Sequence, residues 1–154
     1  SVFAGYLRDP QATARTMAGE WLRTGDIVHR DGAGVFRIVD RLKDIFISGG
    51  ENVAPAEVER ALCLHPGIAE AAVVGVPDPV WGERGVAFVV RADGATLGQD
   101  GVLAHARSEL AGFKVPVRVA FVADLPRSTI EKLARSRLRE RASALLEETV
   151  HEHR

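Results

Sequence analysis

Residues 71–76 (AAVVGV) and 86–90 (VAFVV) contain not one polar side chain, and valine dominates both runs. Apolar stretches of that length and β-branched content read as strands, with residues 77–83 as the loop between them. Other segments have the periodicity of helices. Pro55 suits a first turn, Val58, Ala61 and Leu62 then fall on one face, and His65-Pro66-Gly67 closes the element. A second helix is expected from about Asp100 to Ala111, apolar at Val102, Leu103, Ala106 and Leu110. A last one begins near Glu131, with Ala134, Leu138, Ala142 and Leu145 at helical spacing. Short strands are expected at 27–29, 35–39, 45–47 and 117–122, the first two joined as a hairpin through Gly32 and Gly34. Pro10 starts a short helix that stops at Gly19. Strands interleaved with helices that can cover a small sheet give an α+β or α/β domain.

The 154 residues, 46% hydrophobic, are enough for one sizeable core and too few for two full domains. A boundary is expected at Asp40-Arg41-Leu42-Lys43-Asp44, where four of five residues are charged between two β runs. The net charge of −1 gives no global reason to bind nucleic acid or an anionic membrane. Locally, Arg127, Lys132, Arg135, Arg137, Arg139 and Arg141 face only Glu131 and Glu140, a positive stretch that suits a phosphate-bearing partner or a solvated helix face. Cys63 is the single cysteine, so neither an intrachain disulfide nor a multi-cysteine metal site can form, and a small buried side chain is its ordinary explanation. His29, His65, His105, His151 and His153 are scattered and suggest no metal site. No apolar run reaches the roughly 18–20 residues of a membrane span, which with the cysteine usage points to the cytoplasm. The opening at Ser1 without methionine suggests a fragment or a processed chain.

Several short motifs then occur in a fixed order. They are Trp21-Leu22-Arg23-Thr24-Gly25-Asp26, Arg41-Leu42-Lys43-Asp44, Ser48-Gly49-Gly50-Glu51-Asn52-Val53 with Pro55 and Glu57, Trp81-Gly82-Glu83, Phe113-Lys114-Val115-Pro116, and Leu125-Pro126-Arg127 leading to Lys132 and Arg135. In that order, over nearly the whole chain, they resemble the C-terminal portion of adenylate-forming enzymes: acyl-CoA synthetases, peptide-synthetase adenylation domains and luciferases. The resemblance implies an α+β fold: a small mobile lid at 41–154, with a three-stranded sheet covered by helices plus a β-hairpin. Residues 1–40 would be the closing segment of a large N-terminal domain.

The resemblance also implies roles. Asp26 would grip the ribose hydroxyls of ATP or acyl-AMP, since a carboxylate only accepts hydrogen bonds and its two oxygens can hold a vicinal diol. Arg41 would contact the nucleotide, and Lys43 would be the hinge about which the lid rotates. Lys132 would bring a compact ammonium to the α-phosphate during adenylation. The family commonly has glycine or another small or amide residue just before this lysine, where Glu131 stands here. Ser48, Gly49, Gly50 and Glu51 would line the tunnel for the pantetheine arm of coenzyme A, with Trp81, Arg84 and Lys114 near the coenzyme; Trp81 is equally explained by core packing and Lys114 by a solvated loop. The implied cofactors are ATP/AMP, coenzyme A and Mg2+, the last bound mainly by the absent domain, whose phosphate loop has no equivalent here. The implied partners are a carboxylic acid and that domain, so the chain alone is expected to be inactive. A fatty or aryl acid–CoA ligase is the expected activity. A peptide-synthetase adenylation domain and a non-catalytic lid or interaction module are the alternatives.

Overall fold

The computed structural model describes residues 3–127 and 133–151. The chain divides into two compact units, one ending at Lys43 and the other beginning at Asp44.

The first unit opens with helix α1 (Pro10–Thr16), where Asp9 caps the N-terminus by accepting from Ala12 N at 2.8 Å. Strands β1 (Met17–Ala18) and β2 (Trp21–Leu22) form a tight antiparallel pair around Gly19, whose φ is +64°. Strands β3 (Asp26–Arg30) and β4 (Phe36–Arg41) form the expected hairpin. Of its two turn glycines only Gly34 takes a positive φ; Asp31 Oδ1 holds the turn by accepting from Ala33 N and Val35 N, each at 3.0 Å. The charged segment expected as a linker is partly strand. Asp40 and Arg41 continue β4 opposite Ile27 and Asp26, because ladder hydrogen bonds come from the backbone and tolerate charged side chains.

The second unit is built on a long strand, Gly82–Arg91. Strands β5 (Phe46–Ser48) and β6 (Glu51–Val53) make a hairpin, and helix α2 (Pro55–Leu62) follows with Pro55 in its first turn. Strands β7 (Ile68–Asp78) and β8 (Gly82–Arg91) pair antiparallel along their length, leaving only Pro79, Val80 and Trp81 between them. The segment 77–83, expected as a loop, is therefore mostly strand. Helix α3 (Gln99–Glu109), a 3-10 turn (Gly112–Lys114), strand β9 (Arg118–Phe121) and helix α4 (Arg135–His151) complete the unit. β9 runs parallel to β8 opposite Val86–Val89, while the β5–β6 hairpin pairs with β8 through the single position Ser48–Gly82. The sheet therefore has five strands: the expected three, β7-β8-β9, form its centre, and the hairpin extends it beside β8 in the order β6-β5-β8-β7.

Period-two alternation explains the two apolar runs. Val73, Ala87 and Val89 point to one face, where Val58 and Leu62 of α2 and Val102 and Ala106 of α3 cover them. Ala72, Val74, Val76, Val86 and Phe88 point to the other, under Leu138 and Ala142 of α4. A sheet covered on both faces has no polar side. The hairpin is anchored by Phe46, which lies on the paired glycines Gly75 and Gly85; a Cβ at Gly75 would sit 2.5 Å from Phe46 Cβ. Cys63 is exposed at the end of α2, not packed inside as expected, and partial burial of its sulfur pushes the thiol up from its ordinary value.

Candidate functional site

In the first unit, strand pairing brings two of the expected nucleotide contacts together. Asp26 and Arg41 are cross-strand partners, with Arg41 Nε 3.5 Å from Asp26 Oδ1 and half of the arginine side chain in solvent. Leu42 N donates to Gly25 O at 2.8 Å, which holds the end of the hairpin against the Thr24-Gly25 turn. Thr24, Gly25, Arg41, Leu42 and Lys43 line a shallow apolar depression of about 400 Å³. Lys43, the expected hinge, is the last residue of this unit.

In the second unit, the β5–β6 turn is Gly49-Gly50, with φ angles of +60° and +86°. Both glycines are required by conformation, and Gly49 by space as well. A Cβ there would stand 2.6 Å from Trp81 Cε3 and 2.8 Å from Cζ3. The Trp81 ring, 41% exposed, is therefore no core residue; it lies against the bare backbone of Gly49. Gly49 N also donates to Trp81 O at 2.8 Å, and Glu83 Oε2 accepts from Ile47 N at 3.0 Å, so two bonds hold the glycine turn to the β7–β8 tip. Asp78 Oδ1 accepts from Trp81 N at 2.8 Å and Val80 N at 2.9 Å; these two bonds hold its carboxyl below the usual range, helped by nearby Arg84. The Arg84 guanidinium stands 5.6 Å from the Trp81 ring centre. With Arg107, it also lines a cleft of about 300 Å³ beside Gly112 and Val115-Pro116-Val117. Ser48 is buried, and its Oγ has no hydrogen-bond partner among the described residues. Glu51 is exposed across the turn.

Lys114 is not the solvated loop residue it resembles in sequence. Its Nζ donates to both oxygens of Glu57, at 2.6 and 2.8 Å, tying the 3-10 turn to the start of α2. Lys132 and Glu131 lie outside the described residues, but the stretch that contains them is bracketed on both sides. Arg127 and Leu133 form an antiparallel bridge, Ala134 N donates to Pro126 O at 2.8 Å, and Arg127 Nη2 bonds Glu70 Oε2 at 2.8 Å. One polar cluster has no local pattern in the sequence: Arg135 with Glu59, Asp44 and Arg139. Its members are scattered along the chain, so only the charge-rich start of the last helix hinted at it.

The family model described as "AMP-binding enzyme C-terminal domain" matches residues 57–132, the span that runs from Glu57 of α2 to Lys132. Residues 57–132 belong to this family. Among curated relatives, the feruloyl-CoA synthase of an Amycolatopsis species is 48% identical over 141 residues, covering 92% of this chain and 29% of that protein. Two solved structures align closely with the fold of this AMP-binding C-terminal domain. ATP-bound MatB from Rhodopseudomonas palustris has a TM-score of 0.84 at 42% identity, over 90% of this chain and 28% of that one. The amide bond synthetase McbA from Marinactinospora thermotolerans has a TM-score of 0.84 at 43% identity, over 89% and 28%. The chain thus spans under a third of the proteins it matches, and what it matches is the C-terminal region of adenylate-forming enzymes. No helix among the described residues is long and apolar enough to cross a membrane.

Proposed function

We propose that this chain is the lid-bearing end of an AMP-forming acid–CoA ligase. A fatty or aryl carboxylate reacts with ATP to give acyl-AMP and pyrophosphate, and the thiol of coenzyme A then displaces AMP to give the thioester. The observation that carries this reading is the division at Lys43. On one side lies a unit carrying the Asp26–Arg41 pair, on the other a unit carrying the Gly49-Gly50 turn and Trp81. An exposed charged residue at that boundary loses no buried contacts of its own when its backbone angles change.

Asp26 accepts from the ribose hydroxyls, and Arg41 beside it supplies a fork of donors to the nucleotide. In the first orientation of the lid, the Lys132 ammonium offsets negative charge that grows around the α-phosphorus as acyl-AMP forms. In the second, the Gly49-Gly50 turn, with Ser48 and Glu51, lines the path of the pantetheine arm, since backbone without Cβ allows close approach. Trp81 forms a wall of that path, and Arg84 offers positive charge to the phosphates of the coenzyme. Lys114 has one donor left beyond the two given to Glu57, which suits a secondary contact.

Residues 1–40 close a larger N-terminal domain that supplies the phosphate loop, the acyl pocket and the Mg2+ that accompanies ATP; alone, this chain is inactive. The exposed apolar side chains of its hairpin, Val28, Phe36 and Ile38, support that assignment, since a lone hairpin is marginal in water and such residues are normally covered. The lone cysteine fits a reducing cytoplasm. A second reading, acyl transfer to an amine, draws on the likeness to the amide bond synthetase. The test is the full-length protein with a panel of fatty and aryl acids. Acid-dependent ATP–pyrophosphate exchange followed by coenzyme A thioester supports the ligase; exchange followed only by amides supports the second reading; no exchange with any acid removes both.

A further inference from the structure

The residue after the hinge is bonded to the helix that follows Lys132. Asp44 spans two arginines one helical turn apart: Arg135 Nε is 3.7 Å from its Oδ2, and Arg139 Nη2 is 3.5 Å from its Oδ1. The other nitrogens of Arg135 are engaged elsewhere. Nη1 donates to Glu59 Oε1 at 2.6 Å and to the Val73 carbonyl at 2.8 Å, and Nη2 donates to Glu59 Oε2 at 3.1 Å. Glu59 Oε1 accepts in turn from Val73 N at 2.8 Å. The side chains of Asp44, Glu59 and Arg135 are 13%, 17% and 16% exposed, so water competes little for these bonds.

This cluster fixes directions as well as positions. A planar guanidinium whose donors are held by two carboxylates and a carbonyl cannot rotate without losing several bonds together, which a lysine ammonium could do. Arg135 therefore sets the first turn of α4 against α2, β7 and Asp44. Three residues before it stands Lys132, in a stretch whose other end is pinned by Arg127 to Leu133 and to Glu70.

We propose that Arg135, clamped by Asp44 and Glu59, is a positioning residue for Lys132: it locks the start of α4, three residues beyond that lysine, to the residue after the hinge. The proposal rests on the reading of Lys132 as the adenylation lysine. When the backbone turns at Lys43, Asp44 moves with the second unit, and the clamp makes the start of α4 turn with it. Without it, Lys132 reaches the nucleotide over a spread of poses, which harms adenylation and leaves the Gly49-Gly50 turn untouched.

The test uses the full-length ligase, with pyrophosphate release scoring adenylation and thioester formation from supplied acyl-AMP scoring the second step. Asp44→Asn, and Arg135→Lys, which keeps the charge but loses the fork, are each expected to slow adenylation about tenfold to a hundredfold, the cost of a misplacement on the order of an ångström, with thioester formation unchanged. In a Lys132→Ala background, Asp44→Asn should cause no further loss of the residual adenylation, because a clamp acting through the lysine has nothing left to position. Equal losses in both half-reactions, unchanged adenylation in both variants, or an undiminished effect of Asp44→Asn without the lysine would each overturn the proposal and leave the role of Lys132 standing. Full adenylation by Lys132→Ala alone would instead remove the reading on which the proposal rests.

Discussion

Adding one methyl group at Gly49 tests the link between the glycine turn and Trp81. The new Cβ would begin 2.6 and 2.8 Å from two ring carbons, while unstrained carbon contacts lie at about 3.5–4.0 Å, so the ring must retreat by roughly 1 Å. The ring is free to do so because it is partly in solvent. The backbone cost is separate: at φ +60° any L-residue with a Cβ loses about 1–2 kcal/mol relative to glycine. Gly50 supplies the control. Its φ is +86°, and a Cβ there meets nothing within 4 Å, so Gly50→Ala carries the backbone cost without the displaced ring. In the full-length ligase, both variants should lose a similar 1–2 kcal/mol or so in urea denaturation. Both glycines line the proposed path, so both variants should slow thioester formation from supplied acyl-AMP, but Gly49→Ala, which also displaces the ring, should slow it further, by up to about a hundredfold for an ångström of displacement, with pyrophosphate release kept. Equal thioester rates in the two alanine variants would refute the assignment of Trp81 to the coenzyme path.

Gly75→Ala presses a methyl group onto Phe46 at 2.5–2.6 Å inside the core, where Phe46 is 3% exposed; overpacking should cost about 3 kcal/mol by chemical denaturation, and a cost below about 1 kcal/mol would contradict the seating of Phe46 on the sheet. The Asp78 carboxyl is held below its ordinary value of 3.8, so its contribution to stability is present above that pH and disappears as pH falls through the lower, folded value. Asp78→Asn should flatten this part of the acid limb in a pH series of melting temperatures, and an unchanged limb would show that the two backbone bonds do not favour the ionised form. Lys43→Pro restricts φ at the hinge and should slow the thioester step while sparing adenylation; a normal thioester rate would move the hinge elsewhere.

The parts of the fold legible in sequence are those set by burial and local chemistry. Val73 and Val74 face opposite layers of a sheet covered on both sides, so their run had to be uniformly apolar. Pro55 and the Gly49-Gly50 pair mark a helix start and a turn through their own backbone preferences. Asp40 and Arg41 misled because charge density says little about a ladder made by the backbone. Trp81-Gly82-Glu83 looked like a loop because Asp78 and the glycine punctuate it, yet three residues suffice for the turn. The site was legible only as separate motifs. Lys114 meets Glu57 across 57 positions and Arg135 meets Glu59 across 76, and no local pattern encodes contacts made by the packing of distant elements.

On the proposed reading, one lysine of the second unit serves the first half-reaction and not the second. Lys132→Ala in the full-length ligase, with each half-reaction followed separately, tests it most directly. Acid-dependent pyrophosphate release should fall to a small residual rate while thioester formation from supplied acyl-AMP and coenzyme A proceeds at the unsubstituted rate. Loss of both in equal measure, or of neither, would contradict it.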